Sequence, residues 1–356
     1  MKNKLKDLRQ KRRAHKERKA LEKDRLPRIT NETVASHREE VLSGARKYIY
    51  PLQHSKHRVV FVTTTLFIVA VLGFASYCVV ALYKLQSSST FLYRVTQVVP
   101  FPVARTGKQF VSYENYLFEL RHYTHYYETQ LKRDFDDPGN KQQLEDYKKR
   151  SLDKVVNDAL IKQVAKQKAI SVSDAEVDEQ INLARTQNRL GGSNRVFEDV
   201  IREYYGWSLN DFRRSLRSQL LEEKVNAALD TDDQSRAAQA EAAIGIGTSF
   251  ADVAKQFSDD TATSAVGGEF GIVDKSNTAV APQTLDTLFR LKTNEVSQPI
   301  IVSYDTGYAF EIIKNLDAST PDKAKGAHII IKIKDVNLYL NDFKDKQPAR
   351  RYIRLN

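Results

Sequence analysis

Most residue types that ordinarily carry chemistry are absent from this sequence or stand at unhelpful spacings. His122 and His125 lie at i and i+3, which a metal ion could bridge, but no carboxylate or third histidine follows at ligand spacing, so they read as ordinary histidines. Gly245 and Gly247 form a G-x-G that follows a helix and lacks a third glycine, which argues against dinucleotide binding. Neither a G-x-S-x-G elbow nor a His-Glu-x-x-His occurs, so hydrolase chemistry of those kinds is excluded. The one cysteine, Cys78, lies in an uncharged stretch and offers no disulfide, metal site or nucleophile. No metal and no cofactor is expected. What remains is Asp259-Asp260 after a short helix, the Gly-Gly-Glu-Phe-Gly run at 267–271, and His328, with no histidine between 126 and 327.

The elements that must position these groups belong to a chain of 356 residues, long enough for two or three domains. Its net charge of +11 comes from residues 1–58, which carry 18 Lys/Arg against 7 Asp/Glu. Aromatic residues do not interleave with the basic ones there, so no nucleic-acid partner is expected, and the tail reads as a solvated, partly helical arm near anionic lipid head groups or the ribosome, lipid being the favoured neighbour. From Val59 to Tyr83 the chain runs 25 residues without a charge, about 37 Å as a helix and enough to cross a bilayer. With 58 residues ahead of it, this segment reads as an uncleaved anchor rather than a signal peptide. The basic excess then places the tail in the cytoplasm and residues 84–356 outside a cell membrane crossed once.

Residues 84–100 read as a linker, and the β-branched and aromatic run over 91–111 predicts extended structure. From Ser112 to Asp230 the pattern is helical: Leu152, Val156, Leu160 and Val164 recur at i+4, and Ser173 with Glu176 and Ser208 with Asp211 form capping pairs. Gly191-Gly192-Ser193 marks a turn. Tyr113, Tyr116, Phe118, Tyr123, Tyr126 and Tyr127 are either a client-facing surface or core. Residues 232–314 alternate short helices with a glycine-rich strand and paired strands, an α+β pattern.

Residues 101–230 resemble the N-terminal domain of SurA-type chaperones, through RTGKQFVSYENYLFEL, LDKVVNDALIKQVAKQKAISVSDAEVDEQI and GWSLNDFRRSLRSQLLEEKV in that order. The resemblance implies a helical cradle that holds unfolded polypeptide. Residues 231–316 resemble a parvulin-type (PpiC, rotamase) peptidyl-prolyl isomerase, through GTSFADVAKQFSDD, GGEFG, TLFRLKTNEVSQPI and DTGY ahead of EIIK. Together they imply an α+β chain with an N-terminal transmembrane helix, an all-helical SurA-like domain and a parvulin-like domain. The implied function is a membrane-tethered folding factor that isomerises X-Pro bonds in exported polypeptides, its partners being unfolded or proline-containing chains and membrane lipid. The rival is a holdase whose parvulin fold binds chains without catalysis.

The chemistry implied is modest, because isomerisation breaks no σ bond and faces a barrier of about 18–20 kcal/mol set by amide resonance. The resemblance assigns Asp260 the polar catalytic position and Phe270 and Phe289 the pocket. Leu285 joins them with a spacing to Phe289 that departs by one from the usual pattern, and Thr306 and Tyr308 take substrate-binding positions. Parvulins usually carry one histidine on the first strand and one on the last. Here Ala309 stands where the second would be, and the helix before Asp232-Asp233 leaves no room for a first strand. Beyond the linker NLDASTPDKAKG, the A-H-I-I-I-K run looks like that missing strand. Residues 317–356 are therefore expected to supply it by circular permutation, with His328 as the second catalytic residue; the other reading is an unrelated strand at 327–334. An unfilled gap would leave an exposed sheet edge, which favours the permuted strand.

Overall fold

The computed structural model describes residues 2–24, 29–49, 52–135, 137–187, 193–304, 307–346 and 348–355, in two units, Met1–Cys78 and Val79–Asn356. In the first, the basic stretch forms α1 (Lys2–Asp24), followed by α2 (Asn31–Ile49) and α3 (Leu52–Val79). The Thr63 and Thr65 hydroxyls donate back to the Val59 and Phe61 carbonyls at 2.9 and 2.8 Å, which satisfies polar groups within the apolar stretch. Among the described residues one helix, over His57–Lys84, is long and apolar enough to cross a membrane.

The second unit departs at once from the extended reading of 91–111. Thr90–Val98 form α4, because the Ser89 hydroxyl accepts the Leu92 amide and Leu92 and Thr96 are buried, a tertiary contact that outweighs local β propensity. Extended structure begins later, as the hairpin of β1 (Pro102–Thr106) and β2 (Gln109–Ser112), which turns at Gly107 with φ +54. Then come α5 (Tyr113–Thr129), α6 (Lys141–Gln167), α7 (Asp174–Gln187), α8 (Asn194–Tyr205) and α9 (Leu209–Leu229). Ser208 and Asp211 close a reciprocal capping box, and Ser173 and Glu176 exchange the equivalent bonds at 2.8 and 3.3 Å. Leu152, Val156, Leu160 and Val164 are all buried, as their spacing requires. Gly191 and Gly192 of the expected turn lie outside the described residues.

Only Asp230 separates α9 from α10 (Thr231–Gly245), so no strand lies between them. It continues through α11 (Phe250–Phe257), β3 (Glu269–Asp274), α12 (Pro282–Arg290), β4 (Ile300–Tyr304), β5 (Gly307–Thr320) and β6 (Lys323–Lys332). These strands form an antiparallel sheet in the order β3-β6-β5-β4, so the last strand in sequence is central in space. The NLDASTPDKAKG stretch is not a loose linker: β5 and β6 extend through it as a ribbon with Asn315 opposite Gly326 and Thr320 opposite Lys323. Its mostly exposed outer positions carry polar residues, so hydropathy alone does not reveal a strand there.

Residues 317–356 do more than fill the sheet. After β6, α13 (Val336–Lys346) buries Val336 and Leu340 among Leu160, Ile161, Val164 and Val225, and β7 (Arg350–Arg351) pairs with β1. The chain therefore returns to the helical half from which it came. In the four-stranded sheet, period-two alternation sorts the side chains. Phe310, Ile312, Ala327, Ile329 and Ile331 pack on α10 and α11, while Ile313 packs with Leu285 and Leu288 of α12. Glu311 and His328 share that second face.

Candidate active site

Backbone pairing fixes His328 before its side chain is considered. It lies at the centre of the sheet, opposite Ile313 on β5, and its amide donates to the Gly268 carbonyl at 2.8 Å. The loop after α11 is fastened along the same strand: the Asp259 amide donates to the Ile330 carbonyl at 2.7 Å, and the Lys332 amide donates to Asp259 Oδ2 at 2.9 Å. Arg236 of α10 holds that loop from behind, with 2.9 Å to Asp259 Oδ1 and 3.1 Å to the Phe257 carbonyl. Asp260 is thereby set over the sheet.

The result is a chain of three ionisable groups. His328 Nε2 lies 3.1 Å from Asp260 Oδ2 and Nδ1 lies 2.8 Å from Glu311 Oε1. Thr263 donates to Asp260 Oδ2 at 2.5 Å and the Ala262 amide donates to Oδ1 at 3.1 Å. The Thr284 hydroxyl donates to Glu311 Oε2. The Tyr304 phenol sits against the same carboxylate, and burial, followed by the Glu311 charge, raises it. The Phe270 ring lies 4.8 Å from the imidazole at 54°, directly over Gly326, where any Cβ would meet Phe270 Cζ at 2.2 Å.

Burial disfavours the charged imidazole of His328, but the hydrogen bond and charge of Glu311, and then those of Asp260, outweigh it and raise its pKa above the ordinary 6.5. Burial likewise works against the Asp260 carboxylate, yet the bonds from Thr263, His328 and Ala262 hold its pKa below the ordinary 3.8. These directions define a pH window. The raised imidazole stabilises the fold fully below 6.5, an effect lost as pH rises through its folded midpoint. The depressed carboxylate stabilises fully above 3.8, an effect lost as pH falls through its own. Denaturant unfolding should therefore show the largest stability gap between the natural chain and His328→Gln between pH 3.8 and 6.5, shrinking on both sides. A gap that widened toward alkaline pH would contradict this arrangement.

The structure brings Asp260, Phe270 and His328 together, keeps Phe289 against the same buried cluster as Phe270, and sets Leu285 beneath them and Tyr308 on the opposite face. Leu285 is fully buried in the core with Leu288 and Ile313, so it supports the site from beneath rather than lining it. Phe289 is partly buried at the edge of the same cluster, with Lys275 Nζ 5.4 Å over its ring. Tyr308 belongs to the opposite face of β5, against the core of α10 and α11, because it is an odd number of residues from Glu311. Thr306 lies outside the described residues. The residue facing His328 is Glu311 rather than Ala309, which is buried opposite Val302 and Lys332. Glu311 escaped the sequence reading, although a lone acid in the apolar run YAFEIIK is itself a signal, since an unpaired buried carboxylate is costly.

His122 and His125 meet different partners. His122 stacks on Trp207 with centroids 4.3 Å apart, and burial lowers it to about 4, while His125 Nε2 contacts the Glu203 carbonyl. The aromatic run divides: Tyr113, Tyr116 and Phe118 are core, whereas Tyr126 is 41% exposed. A cavity of about 300 Å³ lies in the helical half, lined in part by Phe110, Phe118, Glu119, Val155, Arg214 and Leu221, and shares no residue with the His328 site.

Residues 52–226 match the family model described as a SurA-like N-terminal domain, and residues 221–317 match that of the PPIC-type PPIase domain. This is a parvulin-type isomerase domain joined to a SurA-like domain. The isomerase match ends at residue 317, so β6 and His328 lie beyond it. The foldase protein PrsA of Caldanaerobacter subterraneus subsp. tengcongensis is 29% identical over 229 residues, covering 59% of this chain and 68% of that protein. The chaperone SurA of Pseudoalteromonas translucida is 35% identical over 78 residues, covering 22% of this chain and only 17% of that protein. A crystal structure of the peptidylprolyl isomerase PrsA from Bacillus anthracis shares 18% identity, covering 54% of this chain and 86% of that one, with a TM-score of 0.18. That score is too low to bear on the fold.

Proposed function

We propose that the chain is a membrane-tethered, extracytoplasmic folding factor that isomerises X-Pro bonds in exported polypeptides, with Asp260 and His328 as its catalytic residues and Phe270 and Phe289 as its proline pocket. The observation that carries this reading is the Asp260–His328 contact, made across 68 residues of sequence beside an aromatic ring. A planar amide places resonance charge on its oxygen, and twisting removes it. An anionic Asp260 beside that oxygen therefore disfavours the planar state more than the twisted one, while Phe270 excludes water. The apolar span over His57–Lys84 and the basic residues ahead of it support anchoring with the tail inside. The cavity in the SurA-like half offers apolar and charged groups for unfolded chain.

The test is a refolding reaction limited by a prolyl bond, run with the full chain in detergent. The natural chain should accelerate it, and His328→Gln and Asp260→Asn should each lower the rate by at least about tenfold, equivalent to roughly 1.4 kcal/mol of transition-state stabilisation. A chain that slows client aggregation yet leaves the prolyl phase unchanged would be a holdase, and the catalytic assignment would fall.

A further inference from the structure

We propose that Glu311 is a positioning residue of this site: from the neighbouring strand β5, on the same face of the sheet, it holds His328 as a doubly protonated imidazolium, and through it fixes Asp260 as the carboxylate presented to substrate. This rests on the isomerase reading for its functional meaning, but the charge arrangement stands on geometry alone.

Both ring nitrogens of His328 face carboxylate oxygens, Nδ1 at 2.8 Å from Glu311 and Nε2 at 3.1 Å from Asp260. A neutral imidazole carries one N–H, so one of these contacts would then oppose two lone pairs. Each carboxylate, moreover, already accepts from donors other than the ring. Glu311 accepts the Thr284 hydroxyl on its second oxygen, and Asp260 accepts the Ala262 amide and the Thr263 hydroxyl. The proton therefore resides on the ring, and each nitrogen donates. The other groups around the array agree: β4 contributes Tyr304, a neutral phenol, and β3 contributes the Phe270 ring, whose π-system favours a neighbouring cation. On β6, Lys325 is engaged by Glu269 at 2.6 Å.

Burial assigns the roles within the array. The side chains are 0%, 13% and 25% exposed for Glu311, His328 and Asp260, so the three run from core to surface. Glu311 touches no substrate; it is the buried counter-charge that makes an imidazolium tolerable there, and only Asp260 has substantial access. Fixed charges suit isomerisation, in which no proton need be transferred.

The test uses the full chain in detergent micelles, with histidine ring nitrogens labelled for NMR and the His328 signal identified by its loss in His328→Gln. At pH 7.5 His328 should show two protonated nitrogens and lose a proton only at higher pH, whereas buried His122 should be neutral. Glu311→Gln keeps the side-chain shape and can still accept from Thr284, so the melting transition should persist while His328 becomes singly protonated at pH 7.5. Its isomerase rate should fall by about tenfold, the scale expected for one charge-assisted hydrogen bond, through kcat rather than KM. A singly protonated His328 in the natural chain, or a His328 charge unmoved by Glu311→Gln, overturns the assignment. A charged His328 that Glu311→Gln neutralises, in a chain that never accelerates refolding, supports the charge arrangement and overturns the isomerase reading instead.

Discussion

A chain ending at residue 322 should not fold. Its missing segment contains β6, which is hydrogen-bonded on both sides, so its loss leaves β3 without a partner and turns β5 into an open edge. The same segment supplies Ile329, Ile330, Ile331, Ile333, Val336, Leu340 and Ile353, all buried. At about 1.5–3 kcal/mol for each such side chain, the loss is about 10–20 kcal/mol. A whole domain is stable by only about 5–15 kcal/mol. The expected result is loss of the cooperative melting transition and rapid proteolysis of the SurA-like half as well, because α13 and β7 no longer close on α6, α9 and β1. Ending the chain at Asp335 should be milder: the sheet stays complete and the helical half alone is weakened. A truncation at 322 that melts as cooperatively as the full chain would show that β6 is an accessory strand.

That dependence was partly legible in the sequence. The apolar run at 329–331 announces a buried strand, and the uninterrupted helix into Asp232 announces that the sheet lacks one, so their pairing follows from edge protection. Capping pairs such as Ser208 with Asp211 are local and were readable because both partners lie within one turn. What stayed hidden depends on distant partners. Residues 90–98 read as extended until Leu92 is given something to pack against, and the polar ribbon at 315–326 becomes a strand only because its two arms pair with each other. Its place in a motif points Tyr308 to the pocket, yet the parity of a strand decides which face a residue joins, and Glu311 has the parity that meets His328. A family pattern names positions; the register decides what faces what.

Gly268→Ala should cost more than any other single methyl in the isomerase domain. Gly268 has φ +82, which costs an alanine about 1–2 kcal/mol on its own. In addition, its Cβ would lie 2.2 Å from the His328 carbonyl oxygen, with Ala254 Cβ at 3.3 Å behind it. That oxygen is backbone in the central strand, so relief requires β3 to move away from β6. The movement breaks the bond from the His328 amide to the Gly268 carbonyl and carries Phe270 off the imidazole. Together these effects should exceed about 3 kcal/mol, within the range of the larger single-residue losses, and isomerase activity should fall with them. Two other glycines calibrate the measurement. Gly271 has φ +93 but nothing within 4 Å, so its alanine variant bears only the backbone strain. Gly245 ends α10 in open space without a positive φ, so alanine there should be neutral or stabilising by up to about 1 kcal/mol. Denaturant unfolding of the three variants should rank Gly268→Ala well below Gly271→Ala, and Gly271→Ala below Gly245→Ala. If Gly268→Ala and Gly271→Ala were equally stable, the close approach of β3 to His328 would not be the constraint that sets the site.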